Sequence, residues 1–395
     1  MRRARMEPAD IGYVNANGSG TSSADASVAA TRKWRGMRIQ GIDHVEWYVS
    51  DLKGTAGKLC RDFGFRIAGQ HDPAPADPGS AAGAQSLLLH QGQIMLLLTA
   101  AADPDHPAAE YVRRHGDGVA VIAFGTDDVR AAFDTAVAGG AAPIAAPAFD
   151  EGRRAGMAVV SGFGDVTHKL IERDGPAPAA EQAPAQAPEP DAGRGDLLEA
   201  LDHIAVCLPA GQLDATVRFY RDAFGLTQVF DERIEANGQA MLSKVVQNEA
   251  RSVTFTLIEP DATLDPGQID QFLRAHGGAG VQHLAFGTSD IAQAVGTLAD
   301  RGVGFLAAPP GYYRTLETRL GTLAIPVSEL EKLNVLADTD RWGQLFQIFT
   351  RCAHERRTFF MELIERQGAL TFGSRNIRAL YEALGGEQES LTATI

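Results

Sequence analysis

The chain has 395 residues, of which 45% are hydrophobic and 22% charged, the proportions of an ordinary soluble globular protein. Its net charge of -14 and the lack of any run rich in lysine or arginine argue against nucleic acids and anionic membrane surfaces as partners. Three scattered cysteines exclude a disulfide framework, and no stretch approaches the roughly 18 apolar residues of a membrane span or forms an apolar signal core. A cytoplasmic location is therefore expected.

The first part of the chain divides into a tail and a folded domain. Residues 1–36 are rich in Ala, Ser, Gly and Asn without a sustained period, which predicts a disordered extension. Residues 37–175 are expected to form the first domain, beginning with a half-buried strand over 39–51 and a short helix over 55–65. The remaining predicted elements are, in order, a hairpin (86–100), a helix (106–116), a strand (118–128), a helix (129–141) and a strand pair (157–175).

The composition changes abruptly over residues 176–198, which read PAPAAEQAPAQAPEPDAGRGDLL. Proline and alanine with scattered acidic residues are typical of a semi-rigid, unfolded connector. The segment is therefore the predicted linker, and residues 199–395 are the predicted second domain.

The second domain repeats the first. GIDHVEWYV at 41–49 matches ALDHIAVCL at 200–208, GDGVAVIAFGTDD matches GAGVQHLAFGTSD, and HKLIERDG matches MELIERQG. The spacing of the last pair indicates an insertion of about 31 residues late in the second half. Each half is thus a string of strands with one or two covering helices, which predicts an α+β fold built on duplicated mixed sheets.

Three repeat-equivalent positions differ in chemistry between the halves. In the second half they carry two imidazoles and a carboxylate, at His203, His283 and Glu362. In the first half they carry His44, Val121 and Lys169. Valine offers no ligand atom and lysine brings a positive charge, so a metal site is expected in the second half and not in the first.

Two imidazoles and a carboxylate fit the facial triad of non-haem Fe(II), which leaves three coordination positions for substrate and oxygen. The same donor set also suits a hydrolytic zinc ion, so the residues alone leave the metal open. A blander interpretation is that all three are ordinary hydrogen-bonded residues of a folded core, which is the commoner state of a single histidine in a strand.

The alternation of side chains along a strand sorts the neighbours of these residues. Gln282 and Leu284 flank His283 and are expected on the opposite face, whereas Phe360 and Ile364 are expected on the side of Glu362. Polar candidates for the pocket are Ser243, Gln268 and Gln347.

The second half resembles the catalytic half of the 4-hydroxyphenylpyruvate dioxygenase family, in the vicinal-oxygen-chelate superfamily. The resemblance is carried by LDHIAV, GGAGVQHLAF, the YY of PGYYRTL, LFQIFT and ELIERQGALTFG, and it extends over residues 39 to about 388. It implies duplicated βαβββ modules that form two open mixed β-barrels, a metal-free first domain and a C-terminal lid helix over residues 376–388.

The resemblance also implies the chemistry of the site. Fe(II) is held by His203, His283 and Glu362, dioxygen is the co-substrate, and a small aromatic 2-oxo acid chelates the iron. No catalytic residue beyond the iron and its ligands is implied. Expected substrate-binding residues are Ser243, Thr256, Ile258, Gln268, Gln347, Phe349, Phe372 and Ile377.

Three positions bear on the branch of the family. The dioxygenases typically read P-I-N-E-P and G-N-F where this chain has Thr256 and Ile258 in FTLIEP and Ile377 in SRNIRAL. These substitutions resemble the 4-hydroxymandelate synthase branch, in which decarboxylation of 4-hydroxyphenylpyruvate is coupled to benzylic hydroxylation for nonribosomal peptide (glycopeptide-type) antibiotics.

Two alternatives stay open at this stage. Leu242 in QAMLSKVV is closer to the dioxygenase pattern, which would give homogentisate in tyrosine catabolism. A metal-free small-molecule-binding protein of the same superfamily is the other alternative. No nucleic acid or membrane partner is expected, and a homo-oligomer is an expectation from the family alone.

Overall fold

The computed structural model describes residues 39–71, 83–150, 155–173, 196–236, 238–309, 311–352 and 356–379. The predicted extension (1–36), nearly all of the predicted linker (176–198) and the predicted lid helix beyond residue 379 lie outside these ranges. No helix within the described ranges is long and apolar enough to cross a bilayer.

The first half forms one mixed sheet of eight strands. Their order in space is β2-β3-β4-β1-β5-β8-β7-β6, with β1 parallel to β4 and antiparallel to β5, and β5 parallel to β8. The strands are β1 (Ile39–Tyr48), β2 (Arg66–His71), β3 (Ala84–Gln91), β4 (Ile94–Ala101), β5 (Gly118–Thr126), β6 (Pro143–Asp150), β7 (Ala155–Ser161) and β8 (Thr167–Arg173).

The second half repeats this topology, in the order β10-β11-β12-β9-β13-β16-β15-β14. Its strands are β9 (Ala200–Cys207), β10 (Thr227–Ala236), β11 (Gln239–Gln247), β12 (Thr254–Pro260), β13 (Gly280–Gly287), β14 (Leu336–Thr339), β15 (Gln344–Phe349) and β16 (Phe360–Gln367). Each sheet consists of two βαβββ modules joined through their first strands, so the predicted α+β class of duplicated modules is confirmed.

Helices cover the sheets. They are α1 (Leu52–Lys58), continued by a π-helical turn (Leu59–Phe63), then α2 (Pro107–His115), α3 (Val129–Ala138), α4 (Leu213–Phe224), α5 (Gln268–His276), α6 (Ile291–Asp300), α7 (Leu316–Leu320) and α8 (Val327–Leu333). A 3-10 turn (Tyr313–Thr315), α7 and α8 stand between α6 and β14, where the first half passes directly from α3 to β6. The inserted residues of the second half therefore lie in this region.

The repeated motifs have a local structural cause. Asp128 of GTDD and Asp290 of GTSD each cap the following helix, accepting a hydrogen bond from the backbone N–H of Ala131 (2.9 Å) and Gln293 (2.8 Å) respectively. Such N-caps contribute about 1 kcal/mol each. The glutamate of each LIER motif, which follows on a neighbouring strand, bonds the same helix start, so the two motifs recur together because they build one junction.

Buried aromatic and imidazole rings join the two halves. His168 on β8 lies 3.0 Å from the Tyr220 hydroxyl on α4, measured from Nε2 to Oη, and Phe65 packs edge-on against Phe286 on β13. His115 at the end of α2 stacks on His276 at the end of α5, with ring centroids 4.5 Å apart. The first half is thus part of the support of the strands that carry the site.

The sequence prediction missed two strands and misplaced one helix. β2 and β6 had no predicted counterpart, because both are edge strands with little apolar alternation. The first helix was predicted over 55–65, but it begins at Leu52, since Asp51 caps it by accepting from the N–H of Gly54 (3.0 Å).

Candidate metal centre

His203, His283 and Glu362 lie on three adjacent strands at the middle of the second sheet. Ala285 on β13 pairs with His203 on β9 and with Glu362 on β16, and His283 is two residues before Ala285. A spacing of two residues keeps side chains on one face, so all three point into the same space. The small side chain of Ala285 leaves room between them.

The three side chains converge and are buried. One ligand atom from each lies within 4.8 Å of the others, and the exposed fractions of the three residues are 4%, 6% and 1%. Oε2 of Glu362 is 3.5 Å from Nε2 of His203 and 3.3 Å from Nε2 of His283. Two ligands about 2.1 Å from one metal ion at a right angle are about 3 Å apart, so this donor set fits a metal ion on one face.

Each imidazole is oriented by the residue before it. Nδ1 of His203 donates to Oδ1 of Asp202 (2.8 Å), and Nδ1 of His283 donates to Oε1 of Gln282 (3.2 Å). Because carboxylate and amide oxygens accept, each ring carries a proton on Nδ1, so Nε2 is the nitrogen that faces a metal ion.

Two β-bulges produce this arrangement. The β9–β13 register skips one residue at Asp202 and one at Gln282, so each is an extra residue in its ladder. A bulge turns the extra side chain out of strict alternation. The expectation that Gln282 faces away from His283 is therefore wrong, and Gln282 lines the same cavity as His283.

Further contacts fix the carboxylates. Arg366 binds Asp202 through two hydrogen bonds, from Nε to Oδ2 (2.7 Å) and from Nη2 to Oδ1 (2.9 Å). Nε2 of Gln347 donates to Oε1 of Glu362 (2.7 Å), and Nδ2 of the buried Asn376 donates to Oε1 of Gln347 (2.9 Å). These bonds leave Oε2 of Glu362 facing the two imidazoles.

The electrostatics of the site favour a bound cation. Burial alone would raise the pKa of Glu362, but the charge and hydrogen bonds of His203 and His283 lower it to about 2. Burial would lower the pKa of His203, but Glu362 and Asp202 raise it to about 9. Burial lowers the pKa of His283. The carboxylate is thus ionised at neutral pH, and a dication that binds here replaces the proton of His203.

A narrow cavity adjoins these residues. It has about 30 Å³ of free volume, and its wall includes all eight residues expected to bind substrate together with the three ligand-type residues. These eight are Ser243, Thr256, Ile258, Gln268, Gln347, Phe349, Phe372 and Ile377. The structure thus brings together every predicted site residue.

Aromatic rings shield this centre. Phe360 stacks on His283 with ring centroids 4.8 Å apart, and Phe372 meets His203 edge-on at 5.5 Å. Phe360 is therefore on the side of Glu362, as alternation predicts. Oγ1 of Thr256, by contrast, is buried and has no hydrogen-bond partner among the described residues.

Sequence reasoning missed several residues of the site. Met241, Ile269 and Gln282 also line the cavity, while Asp202, Arg366 and Asn376 support its lining. Alternation would have found Met241, two residues before Ser243. The repeat could have found Asp202 and Arg366, because DH and LIER occur in both halves. Nothing local in the sequence marks the bulge at Gln282.

Comparisons with known proteins show what this chain is similar to. The family model described as the Glyoxalase/Bleomycin resistance protein/Dioxygenase superfamily matches residues 41–173 and 200–347. The 4-hydroxyphenylpyruvate dioxygenase of Xenopus tropicalis is 31% identical over 89% of this chain and 92% of that protein. A probable 4-hydroxyphenylpyruvate dioxygenase 2 of Aspergillus fumigatus is 33% identical over 89% of this chain and 95% of that protein.

A solved structure is also similar over most of its length. It is a triple mutant of 4-hydroxymandelate synthase from Streptomyces coelicolor, with a TM-score of 0.78 and 44% sequence identity. The match covers 88% of this chain and 98% of that chain.

Proposed function

This chain belongs to the 4-hydroxyphenylpyruvate dioxygenase family of the Glyoxalase/Bleomycin resistance protein/Dioxygenase superfamily, and from that premise we propose that it is a 4-hydroxymandelate synthase. In the proposed reaction, 4-hydroxyphenylpyruvate loses carbon dioxide and is hydroxylated at its benzylic carbon, with dioxygen as co-substrate. A place in nonribosomal peptide antibiotic biosynthesis is part of the proposal.

The proposed cofactor is Fe(II), held by His203, His283 and Glu362. When bound, Fe(II) supplies chelation of the 2-oxo acid and activation of dioxygen, chemistry that three protein ligands on one face leave room for. The oriented Nε2 atoms and the ionised carboxylate support this assignment. Asp202, Gln282 and Gln347 are proposed to keep the ligands in that orientation.

The remaining lining residues are proposed to hold the substrate. The cavity wall combines apolar side chains with a few polar groups, which is typical of a small-molecule site. A buried hydroxyl without a partner is costly, so the orphaned Oγ1 of Thr256 supports a hydrogen bond to a polar group of the substrate. The aromatic rings beside both histidines would exclude water from the reaction.

One observation carries the choice of the synthase branch. Ile377 packs against the apolar cluster that contains Ile258, and both line the cavity with Thr256. The positions at which this chain departs from the dioxygenase pattern therefore share one wall. Isoleucine is smaller than the phenylalanine of that pattern, so this wall gives the ring space to retreat and the benzylic carbon can approach the oxidant. The 44% identity to a mandelate synthase supports the same choice.

The dioxygenase alternative, with homogentisate as product, rests on Leu242 and on relatives with that name. Leu242 lies between Met241 and Ser243 on β11, and both neighbours line the cavity. By alternation Leu242 points to the opposite face, so it gives little support to the dioxygenase alternative.

The product decides between the branches. The Fe(II)-reconstituted protein is incubated with 4-hydroxyphenylpyruvate and oxygen, and the products are separated by chromatography. The proposal predicts 4-hydroxymandelate as the main product, and homogentisate as the main product would refute it. Ile377→Phe is expected to shift the product ratio toward ring hydroxylation, with Leu273→Phe as a control of the same kind on a residue that packs on the cluster without lining the cavity.

A further inference from the structure

A second cavity, of about 540 Å³, lies next to the metal-site cavity; we call it the vestibule. The helical segment 374–379 contributes to both: Ile377 lines the metal-site cavity, whereas Ser374, Arg375 and Arg378 line the vestibule. Ile234 lines the vestibule and belongs to the apolar cluster of Met241 and Ile258, which line the metal-site cavity. Segment 374–379 and this cluster therefore form the partition between the two spaces.

The partition is held in place from both edges of the second sheet. Asp338 on edge strand β14 accepts from the backbone N–H of Arg375 (3.1 Å) and from its Nη1 (2.8 Å). Glu232 on the opposite edge strand β10 is hydrogen-bonded to Ser374 and faces Arg378. Tyr312, which also lines the vestibule, has its hydroxyl 3.0 Å from Oδ1 of Asn376.

The vestibule is positively charged within an acidic protein. Among the residues that the structure describes, three guanidinium groups line it, those of Arg319, Arg375 and Arg378, against one carboxylate, that of Glu232. Asp338 neutralises Arg375, and the guanidinium carbon of Arg319 lies 5.1 Å from the ring centroid of Tyr312. A positive excess remains, although the whole chain carries -14. An anion is therefore repelled by the molecule at large and attracted at this opening.

The volumes of the vestibule and the metal-site cavity indicate which of them the substrate occupies first. Sites for drug-sized ligands have volumes of about 300–1,000 Å³, a range that includes the vestibule. The metal-site cavity has only about 30 Å³ of free volume, which is room for about one water molecule. An aromatic 2-oxo acid thus fits the vestibule as it stands, whereas the inner cavity must widen to admit it.

We propose that the vestibule is a docking site for the carboxylate of the incoming 2-oxo acid, bound by Arg319 and Arg378 before it passes segment 374–379. Guanidinium groups suit this task because their planar N–H donors match the two oxygens of a carboxylate. The inference rests on the proposed function for the substrate class alone.

The test is the dependence of kcat/KM on ionic strength for the wild type, Arg319→Gln/Arg378→Gln and a control, Arg130→Gln. Arg130 is an exposed residue of α3 in the first half, so its replacement changes the net charge without touching the vestibule. Arg375 stays intact because it holds Asp338. Salt is raised from about 20 mM to about 500 mM, across which the Debye length shrinks from about 20 Å to about 4 Å.

For the wild type and Arg130→Gln we expect kcat/KM to fall about 3- to 10-fold over this range. For the double variant we expect a low value at low salt that stays flat or rises, because only the repulsion by the net negative charge remains, with kcat within about twofold of wild type. Glu232→Gln should raise kcat/KM at low salt. A wild-type kcat/KM that rises with salt, or a double variant that follows the wild type, would overturn the inference.

Binding without turnover separates this inference from the proposed function. Stopped-flow mixing of the anaerobic protein with 4-hydroxyphenylpyruvate should give an association rate constant that shows the same contrast between variants. A wild type that makes no product at any salt but shows this contrast in the association rate constant refutes the proposed function and leaves the docking site standing. Equal association rate constants for all variants at low salt refute the docking site. Thermal melting checks that the double variant is folded, and the single variants Arg319→Gln and Arg378→Gln each provide a fallback.

Discussion

The first and second halves of this chain place different chemistry on the same frame. Both keep a histidine on the first strand of the sheet, preceded by a bulged aspartate that an arginine binds: Asp43 and Arg173 in one, Asp202 and Arg366 in the other. Both also bulge before the second ligand position, at Ala120 and at Gln282. The bulged aspartate, its arginine and the second bulge are thus present in both halves, although Ala120 lacks the amide of Gln282.

The halves diverge at the ligand atoms. In the first half Lys169 stands at the position of Glu362, and its Nζ donates to Oε2 of the buried Glu46 (2.7 Å). Oε1 of Glu46 accepts from Thr99 (2.6 Å). In the first half, an ion pair with no net charge therefore links β1 and β8. It stands where a metal ion and a carboxylate would lie in the second half. Under the proposed function, a few side chains on the same strand order decide whether this frame holds a metal.

The largest loss of turnover is expected when the second half receives the residue that the first half has at the equivalent position. His283→Val copies Val121, removes one of three ligands and should lower turnover by on the order of 10³-fold or more, since loss of a supporting contact alone costs about 10- to 100-fold. Steady-state product formation measures it. Val121→Leu, a core change of the first half, is the control, and a His283→Val variant with near-normal turnover would refute the metal site.

The ion pair of the first half should matter for stability rather than activity. Lys169→Met leaves the Glu46 charge buried and unpaired, which should cost about 3–5 kcal/mol of unfolding free energy. Replacing both, as Lys169→Met/Glu46→Leu, should recover most of it, because a buried pair and a well-packed apolar pair are often of similar stability. Denaturant titration measures both. Equal destabilisation of the single and double variants would contradict the assignment.

Replacing the equivalent aspartates should change iron affinity in the second half but not in the first. Asp202→Asn weakens the acceptor that orients His203 and should reduce iron affinity about 10- to 100-fold. Asp43→Asn makes the same change beside His44 and should leave iron affinity unchanged. Anaerobic Fe(II) titration in the presence of a competing chelator compares them, and a similar loss in both variants would show that the first half also takes part in metal binding.

A smaller, pH-dependent effect on stability should come from a buried histidine of the first half. His168, opposite Met361 in the repeat, is fully buried, and burial lowers its pKa to about 3. The unfolded chain binds a proton below about pH 6.5 and the folded chain does not, so stability falls as the pH drops below that value. Between pH 7 and pH 5 the loss should be about 2 kcal/mol.

His168→Gln removes this titratable group while its amide can still reach the Tyr220 hydroxyl. Denaturant titrations at the two pH values should therefore show a smaller loss in the variant than in the wild type. The same loss in both proteins would mean that other groups govern the acid sensitivity.

Much of this site could be predicted because the sequence repeats itself, so each position of the second half can be compared with its equivalent in the first. Val121 and Lys169, which stand opposite His283 and Glu362, mark which half offers the three ligand-type residues, and alternation places Phe360 correctly. The position of Gln282 could not be predicted, since a bulge depends on pairing with another strand and leaves no local pattern. The role of Asn376 could not be predicted for a similar reason. Its contact with Gln347 forms only when segment 374–379 folds back across the sheet.

The most direct test of the account is the number of iron ions per chain after anaerobic reconstitution, with His283→Val beside the wild type. The account predicts about one Fe(II) per wild-type chain and almost none in the variant, because only the second half offers a facial triad among the described residues. About two per chain would show that the first half also binds iron. Fewer than about one per three chains would instead favour a metal-free binding protein, and either result would contradict the account.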